Sequence, residues 1–228
     1  MPCYGGQDAR APSIFVLGGE PKDHEVFAQN ERRRKAPLRL GAAQFRFSNF
    51  EFRISPREVD MLKDVIAILA STPDKLKQEI ASMSLQEMKT RPAANKWSVQ
   101  EVLAHLDDLE EVETRARVAA MVEMDNPILP AIDQERRPEE KKYNRKNPLK
   151  SLASLARQRR ANVKWLKRLG PDQLRRKGRH QKVGQISVEE LVTEWALHDL
   201  GHLKQILEIK RYALYPRIGN MRAFYKLS

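Results

Sequence analysis

Apolar residues recur at intervals of three and four along most of the chain after residue 56, the spacing that places them on one face of an α-helix. The pattern covers four stretches, residues 56–83, 98–124, 147–169 and 187–211. The first should be broken at Pro73, because an interior proline removes a helical hydrogen bond. The pattern therefore predicts an all-α fold, an antiparallel four-helix bundle within a domain that spans residues 56–228.

Capping signals support these helix limits. Ser98 lies three residues before Glu101, and Ser187 lies three residues before Glu190, which is the spacing of a capping box. Thr72 is a candidate N-cap for a second piece of the first helix, with Pro73 in its first turn. We therefore expect two sharply defined helix starts and one interrupted helix.

The segments between and outside the helices carry different signals. Residues 1–55 contain proline, glycine and charged residues without sustained periodicity, and we expect a poorly structured N-terminal extension. Residues 125–147 form a long connection, and connections of this length in compact domains often line or cover a site. Residues 178–184 are rich in turn formers. The aromatic tail after residue 211 should pack back over the bundle.

Two of the five histidines lie four residues apart in the last predicted helix. His198 and His202 therefore project from the same face, which is otherwise apolar. His105 is the strongly polar member of the apolar stripe on the helix that begins at Ser98. If the two helices face each other, the three imidazoles can reach one metal ion.

Three neutral imidazoles have a specific chemical consequence. They leave a divalent ion its full charge and at least one open coordination position, whereas a structural zinc site is closed by four protein ligands that usually include cysteine. An open site can lower the pKa of a bound water to about 7 or keep a thiol deprotonated. Imidazole ligands alone suit zinc, nickel, copper and iron alike.

Two stretches around these histidines resemble a known family. Residues 96–106, KWSVQEVLAHL, and residues 194–206, EWALHDLGHLKQI, are similar to the two signatures of the DinB/YfiT-like superfamily. The prolines and Asp133-Gln134 of the long connection, and Gly184 before the last helix, match as well. The resemblance covers about residues 57–228.

The resemblance implies a fold, a cofactor and a type of reaction. The fold is a four-helix bundle that is often a homodimer, and the metal ligands are His105, His198 and His202. Members of known activity use the metal, for which we expect zinc or nickel, to activate a low-molecular-weight thiol for transfer or isomerisation. We therefore expect a metal-dependent thiol S-transferase or a related enzyme that acts on a small molecule, with a metal-dependent hydrolase as an alternative.

Several residues near the histidines have weaker claims on the site. Asp199 points about 100° away from His198 on a helix, so a role in orienting a ligand is the sharper alternative to a surface role. Gln205 and Trp195 lie one turn from His202 and His198 and could line the cavity, although packing is the simpler role for both. We expect neither Glu194 nor His180 to be a ligand.

Charge adds a second function to consider. The formal net charge is +12, and residues 141–179 hold fifteen Lys or Arg against one acid, Asp172. This basic band could make the protein a non-enzymatic bundle that binds an anionic partner. Nucleic acid is a poor candidate, because few aromatic residues are interleaved with the charges.

The remaining composition bears on location. No apolar run approaches the length of a membrane span, and no secretory signal pattern begins the chain. Cys3 is the only cysteine, which excludes an internal disulfide and fits a reducing compartment. We therefore expect a cytoplasmic protein with no membrane partner.

Overall fold

The computed structural model describes residues 61–227, so the predictions for residues 1–55 lie outside the described chain. The helices are α1 Met61–Ile80, α2 Leu85–Lys89, α3 Val99–Leu109, α4 Ala116–Glu123, α5 Arg137–Glu140, α6 Pro148–Leu166, α7 Pro171–Leu174 and α8 Val188–Leu214. A π-helical turn, Glu110–Arg115, joins α3 to α4, and two 3₁₀ segments cover Tyr143–Arg145 and Tyr215–Phe224. The short strands are β1 Ile128–Leu129, β2 Lys177–His180 and β3 Gly184–Ser187.

Four long helical elements form the predicted bundle: α1, residues 99–123, α6 and α8. α1 packs against both α6 and α8, and residues 99–123 also pack against both of these helices. α6 and α8 lie diagonally opposite each other in the bundle. The long connection at residues 124–147 returns the chain to the end of the bundle where α3 begins. None of the helices described is both long and apolar enough to cross a membrane.

The core divides into two apolar clusters, one towards each end of the bundle. The first joins the beginnings of α1 and α8 to the ends of α4 and α6, and the second joins the opposite ends. Thus α1 and α8 run in one direction while residues 99–123 and α6 run in the other. Because residues 99–123 and α6 follow each other in the chain and run in the same direction, a long crossover must connect them. Residues 124–147 form this crossover.

A small sheet closes the end of the bundle that holds the first cluster. β2 and β3 form an antiparallel hairpin, and β1 pairs in parallel with β2. The buried Leu129 and the half-buried Ile186 anchor this sheet to the first cluster. Gly178 is needed at the contact, because a Cβ there would lie 2.8 Å from a side-chain carbon of Met121. Periodicity alone indicated only turns and extended chain at these positions.

The predicted break in the first helix is wrong, because α1 continues through Pro73. Thr72 is not an N-cap: its hydroxyl donates to the carbonyl of Ile68 at 3.0 Å, as a residue inside a helix does. Pro73 cannot donate to the carbonyl of Leu69. That oxygen instead accepts a hydrogen bond from Nη1 of Arg159 at 3.0 Å. The proline is therefore tolerated because a neighbouring helix supplies the missing donor.

The second helix departs from its predicted face after Leu109. The apolar spacing of this helix in the sequence predicts that the stripe continues to Val112 and Ala116, yet both are exposed. The π-helical turn holds one more residue than an α-helical turn, and it rotates the following residues relative to the core. As a result Glu110, Thr114 and Val118 are buried instead.

Polar groups from all four long elements meet in the interior around Arg159. Its guanidinium donates to both oxygens of Glu110 at 2.7 Å each, and it also binds the carboxylate of Asp199. Asn162 adds a hydrogen bond of 2.9 Å to Glu110. These side chains are at most 7 % exposed, so water does not screen the charges. The cation and its acceptors therefore depend on one another.

The aromatic tail covers less of the bundle than expected. It packs against α8, and a guanidinium nitrogen of Arg211 donates to the carbonyl of Lys226. Phe224 and Tyr225 nevertheless remain 78 % and 52 % exposed. The tail thus extends the end of α8 and leaves its aromatic side chains on the surface.

Arg159→Met should lower the free energy of unfolding by about 3–5 kcal/mol, because it leaves two buried carboxylates without a cation. Arg160→Met is the matched control, since Arg160 is exposed on the same helix, and we expect a change within about 0.5 kcal/mol. Urea unfolding followed by circular dichroism measures both. Equal, small losses in the two variants would contradict the importance of the buried cation.

Candidate metal centre

Three imidazole nitrogens converge between α3 and α8. The Nε2 atom of His198 lies 3.2 Å from Nε2 of His105 and 3.1 Å from Nε2 of His202. Two nitrogens bound to the same zinc ion at ~2.0–2.1 Å, with a tetrahedral angle between the two bonds, would be about 3.3 Å apart. The three ligand atoms all lie within 4.8 Å of one another. The donor type and the spacing thus fit a single divalent ion.

Local structure explains why these side chains meet. The capping box predicted at Ser98 is present, with the hydroxyl and backbone N–H of Ser98 both bound to the Glu101 carboxylate at 2.9 Å, and it fixes the start of α3 two turns before His105. His198 and His202 follow each other by one turn of α8, whose own capping box at Ser187 is also present. Both histidine-bearing helices are thus anchored at their N-termini.

Burial makes the three imidazoles poor bases. His105 and His202 are 4 % and 6 % exposed, while His198 is half-buried. Burial lowers the pKa of His198 and of His202 to about 4, and it holds the pKa of His105 well below its usual range. Neutral imidazoles at neutral pH are the form that binds metal ions.

Gln205 orients one of the three imidazoles through a hydrogen bond. Its side-chain oxygen lies 2.8 Å from Nδ1 of His202, so it accepts the hydrogen of that nitrogen. With the proton on Nδ1, the lone pair on Nε2 of His202 is directed towards the other two imidazoles. Gln205 therefore contacts the histidine cluster.

Trp97 also lies against the histidine cluster, although the sequence alone predicts only an apolar core position. Its ring lies parallel to that of His202, with a 4° interplanar angle and centroids 6.3 Å apart, and its centroid is 5.0 Å from that of His105. The available signal was its place directly before the N-cap Ser98, two turns from His105. The indole forms one wall of the cluster.

The long connection at residues 124–147 also contributes residues next to the histidine cluster. Tyr143 is buried with its ring centroid 6.0 Å from that of His105, and its hydroxyl donates to Asp108 at 2.7 Å. Arg137 also binds the Asp108 carboxylate, and its charge contributes to the low pKa of His105. Asp108 thus holds two residues of the connection beside the histidines.

Asp199 and Trp195 lie elsewhere than the histidine cluster. The Asp199 carboxylate is fully buried and binds Arg159, which follows from its position about 100° around α8 from His198. Trp195 is in the first apolar cluster, with the Arg159 guanidinium 5.2 Å from its ring centroid. Both residues therefore pack α8 against the interior of the bundle, away from the histidine cluster.

Two further titratable residues were considered as ligands from the sequence. His180 lies in β2 and its Nδ1 accepts from the backbone N–H of Lys182, outside the histidine cluster. Glu194 is one turn from His198 on an exposed position of α8, and partial desolvation of its carboxyl group, together with the neighbouring charge of Glu113, raises its pKa. Neither contributes to the converging group.

The metal-free protein should lose stability as the pH falls from about 6.5 towards 4. In that range the unfolded histidines, with an ordinary pKa of 6.5, take up protons that His198 and His202 in the folded state do not. Urea midpoints between pH 7 and pH 5 measure the slope. The double variant His198→Gln/His202→Gln should show a shallower slope, and identical slopes would contradict the low pKa values.

Comparison with solved structures finds the same fold in a protein of Bacillus subtilis. That structure is described as "YfiT from Bacillus subtilis is a probable metal-dependent hydrolase with an unusual four-helix bundle topology". The match has a TM-score of 0.63 at 23% sequence identity, and it covers 76% of this chain and 94% of the other.

Sequence comparison finds a similar protein in Oceanobacillus iheyensis, named "Putative metal-dependent hydrolase OB0782". The two are 23% identical over 152 residues, which is 65% of this chain and 86% of the relative. The sequence model of the DinB superfamily matches residues 68–206, which include all three converging histidines and more than half of the chain. With its helical bundle and its histidine cluster, the chain belongs to the DinB superfamily.

Proposed function

We propose that the protein is a divalent-metal-dependent enzyme in which His105, His198 and His202 hold the ion and a low-molecular-weight thiol is the nucleophile. The observation that carries the proposal is the convergence of three neutral imidazole nitrogens, two of them on buried side chains and one on a half-buried side chain. A purely structural site would need no route to solvent. The partial exposure of His198 supports a site that a small molecule can reach.

The three histidines would bind zinc or nickel as neutral ligands. When bound, the ion supplies a Lewis acid that keeps a thiol or a water deprotonated near neutral pH. The low pKa values of the imidazoles favour this role, because few protons compete with the ion at pH 7. Gln205 holds His202 in the tautomer that the role requires.

Arg137 is suited to orient an anionic group of the thiol or of its reaction partner. Its Nε donates to Asp108 and its guanidinium also bonds to Tyr143, which leaves the remaining N–H donors for a ligand. The side chain is 15 % exposed, so a bond formed there is partly shielded from water. Since the charge of Arg137 acts on His105, this second anchor would lie close to an ion held by the histidines.

Glu194 is suited to accept the proton that the thiol loses. It lies one turn of α8 from His198, and the raised pKa of its carboxyl group makes it a stronger base than an ordinary glutamate. The thiolate sulfur would form a bond to the electrophilic carbon as the bond from that carbon to the leaving group breaks, and the leaving group would take the proton that Glu194 accepted from the thiol. Trp97 and Tyr143 would form the apolar walls that restrict water at this place.

Hydrolysis by the same site is the second candidate, and the names of the two similar proteins favour it. Water would then replace the thiol as nucleophile, and the roles of Glu194 and Arg137 would be unchanged. The two reactions are separated by their dependence on an added thiol. Electrophile consumption that requires the thiol supports transfer, whereas product formation without it supports hydrolysis.

The purified protein should contain about one equivalent of divalent metal, because three imidazoles create one site. His105→Ala and His198→Ala should each remove most of it, while His180→Ala, which changes a histidine outside the cluster, should retain it. Elemental analysis after dialysis measures the content. An absence of metal that persists after incubation with zinc or nickel salts would refute the proposal.

Gln205→Ala should weaken metal binding by roughly 10–100-fold, because the imidazole of His202 loses the acceptor that sets its tautomer. Gln205→Glu should largely restore the affinity, since a carboxylate accepts the same hydrogen bond. Lys204→Ala, at the exposed neighbouring position, is the control. Competition with a chromogenic chelator measures the affinities, and an unchanged affinity in Gln205→Ala would show that the contact is only structural.

A further inference from the structure

A groove with a cavity volume of about 610 Å³ lies between α1 and α6. Its floor is apolar and its wall is basic. The apolar lining comes from Ala70, Pro73, Ala156 and Val163, and the charged lining from Asp74, Arg159, Arg160, Lys164, Lys167 and Arg168. Small residues and a proline keep the helices' side chains short here, which leaves the space open.

The four exposed cations of the wall lie on one face of α6 and its C-terminal extension. Arg160, Lys164, Lys167 and Arg168 follow the i, i+4, i+7, i+8 spacing of a helical face. Among the side chains that the structure describes, none gives these four an ion pair or a hydrogen bond. Arg159, by contrast, is neutralised by Glu110 and Asp199. The wall is thus left with four uncompensated positive charges against the single carboxylate of Asp74.

We propose that this groove binds a small molecule that carries a phosphate group on an apolar body. The phosphate would lie against Lys164, Lys167 and Arg168, where several donors can meet its oxygens. The apolar body would lie on Ala70 and Val163. The volume matches that of small-ligand pockets, which is about 300–1,000 Å³.

The same features argue against larger anionic partners. Single-stranded nucleic acid binds to aromatic platforms, but the Trp165 ring on α6 is already covered by the Arg115 guanidinium at 3.5 Å from its centroid. A membrane surface is bound by apolar side chains that protrude beside the basic ones. Here the apolar groups form the floor of a groove.

The groove is separate from the histidine cluster. None of the three histidines lines it. Arg159 is the residue between them, because it contributes to the groove and binds Asp199, the neighbour of His198. Because no histidine of the cluster lines the groove, we expect binding there not to require the metal, and the proposal stands independently of the proposed enzyme activity.

Isothermal titration of the full-length protein with 1-naphthyl phosphate tests the proposal, with 1-naphthol as the uncharged comparison. Lys164→Glu/Lys167→Glu should weaken binding by at least about tenfold, since two phosphate contacts become repulsive. The matched control is Lys150→Glu/Arg157→Glu, which makes the same charge change on α6 outside the groove. Ala70→Phe, which fills the floor, should also weaken binding. Circular dichroism verifies that each variant is folded.

His198→Ala separates this site from the metal centre, and its affinity for 1-naphthyl phosphate should be unchanged. Loss of binding in this variant would place the phosphate at the histidines and overturn the proposal. Equal weakening in both charge-reversed variants would reveal only a general attraction, and it would overturn the proposal as well. So would equal affinity for 1-naphthol, no detectable binding, or groove-dependent binding of an oligonucleotide or of phosphatidylglycerol vesicles in place of the small phosphate.

Discussion

The buried guanidinium of Arg159 is the interaction on which the rest of the bundle depends. It lies on α6 and binds the Leu69 carbonyl of α1, the Glu110 carboxylate of the π-helical turn and the Asp199 carboxylate of α8. One side chain therefore connects all four long elements, and it crosses the α6–α8 diagonal. A buried charge of this kind costs much to desolvate, so its main effect is to select one arrangement of the helices over others that would leave an acceptor unpaired.

That arrangement determines where the histidines point. Asp199 must face Arg159 in the interior, and this requirement sets the rotation of α8 about its axis. His198 is then turned about 100° away, towards His105 on α3. The π-helical turn contributes from the other side, because its extra residue lets Glu110 face Arg159 while the turns before it keep His105 in the cluster. The ion pair between Arg159 and Asp199 and the candidate metal centre therefore both depend on the same packing of the helices.

Charge divides the surface into two regions with different chemistry. Beside the histidines, Arg137 and Tyr143 are held by Asp108, so the charged groups are mostly paired and partly shielded from water. On the outer side of α6 the cations have no acidic partners among the described residues and stand in solvent beside an apolar floor. The first environment suits oriented chemistry on a small substrate, and the second suits electrostatic recognition. Arg159 lies between the two.

The sequence by itself determined the number of long helices, the capped starts at Ser98 and Ser187 and the three histidines, because helical periodicity and capping are local properties. It could not decide the path of α1 through Pro73, since the donor that replaces the proline comes from Arg159, 86 positions along the chain. It also missed the rotation at the π-helical turn and the place of Trp97 in the site. The reason is that these features depend on contacts between helices that are far apart in the chain. Asp199 is the residue after His198, but its buried contact with Arg159 forms only when the helices pack together.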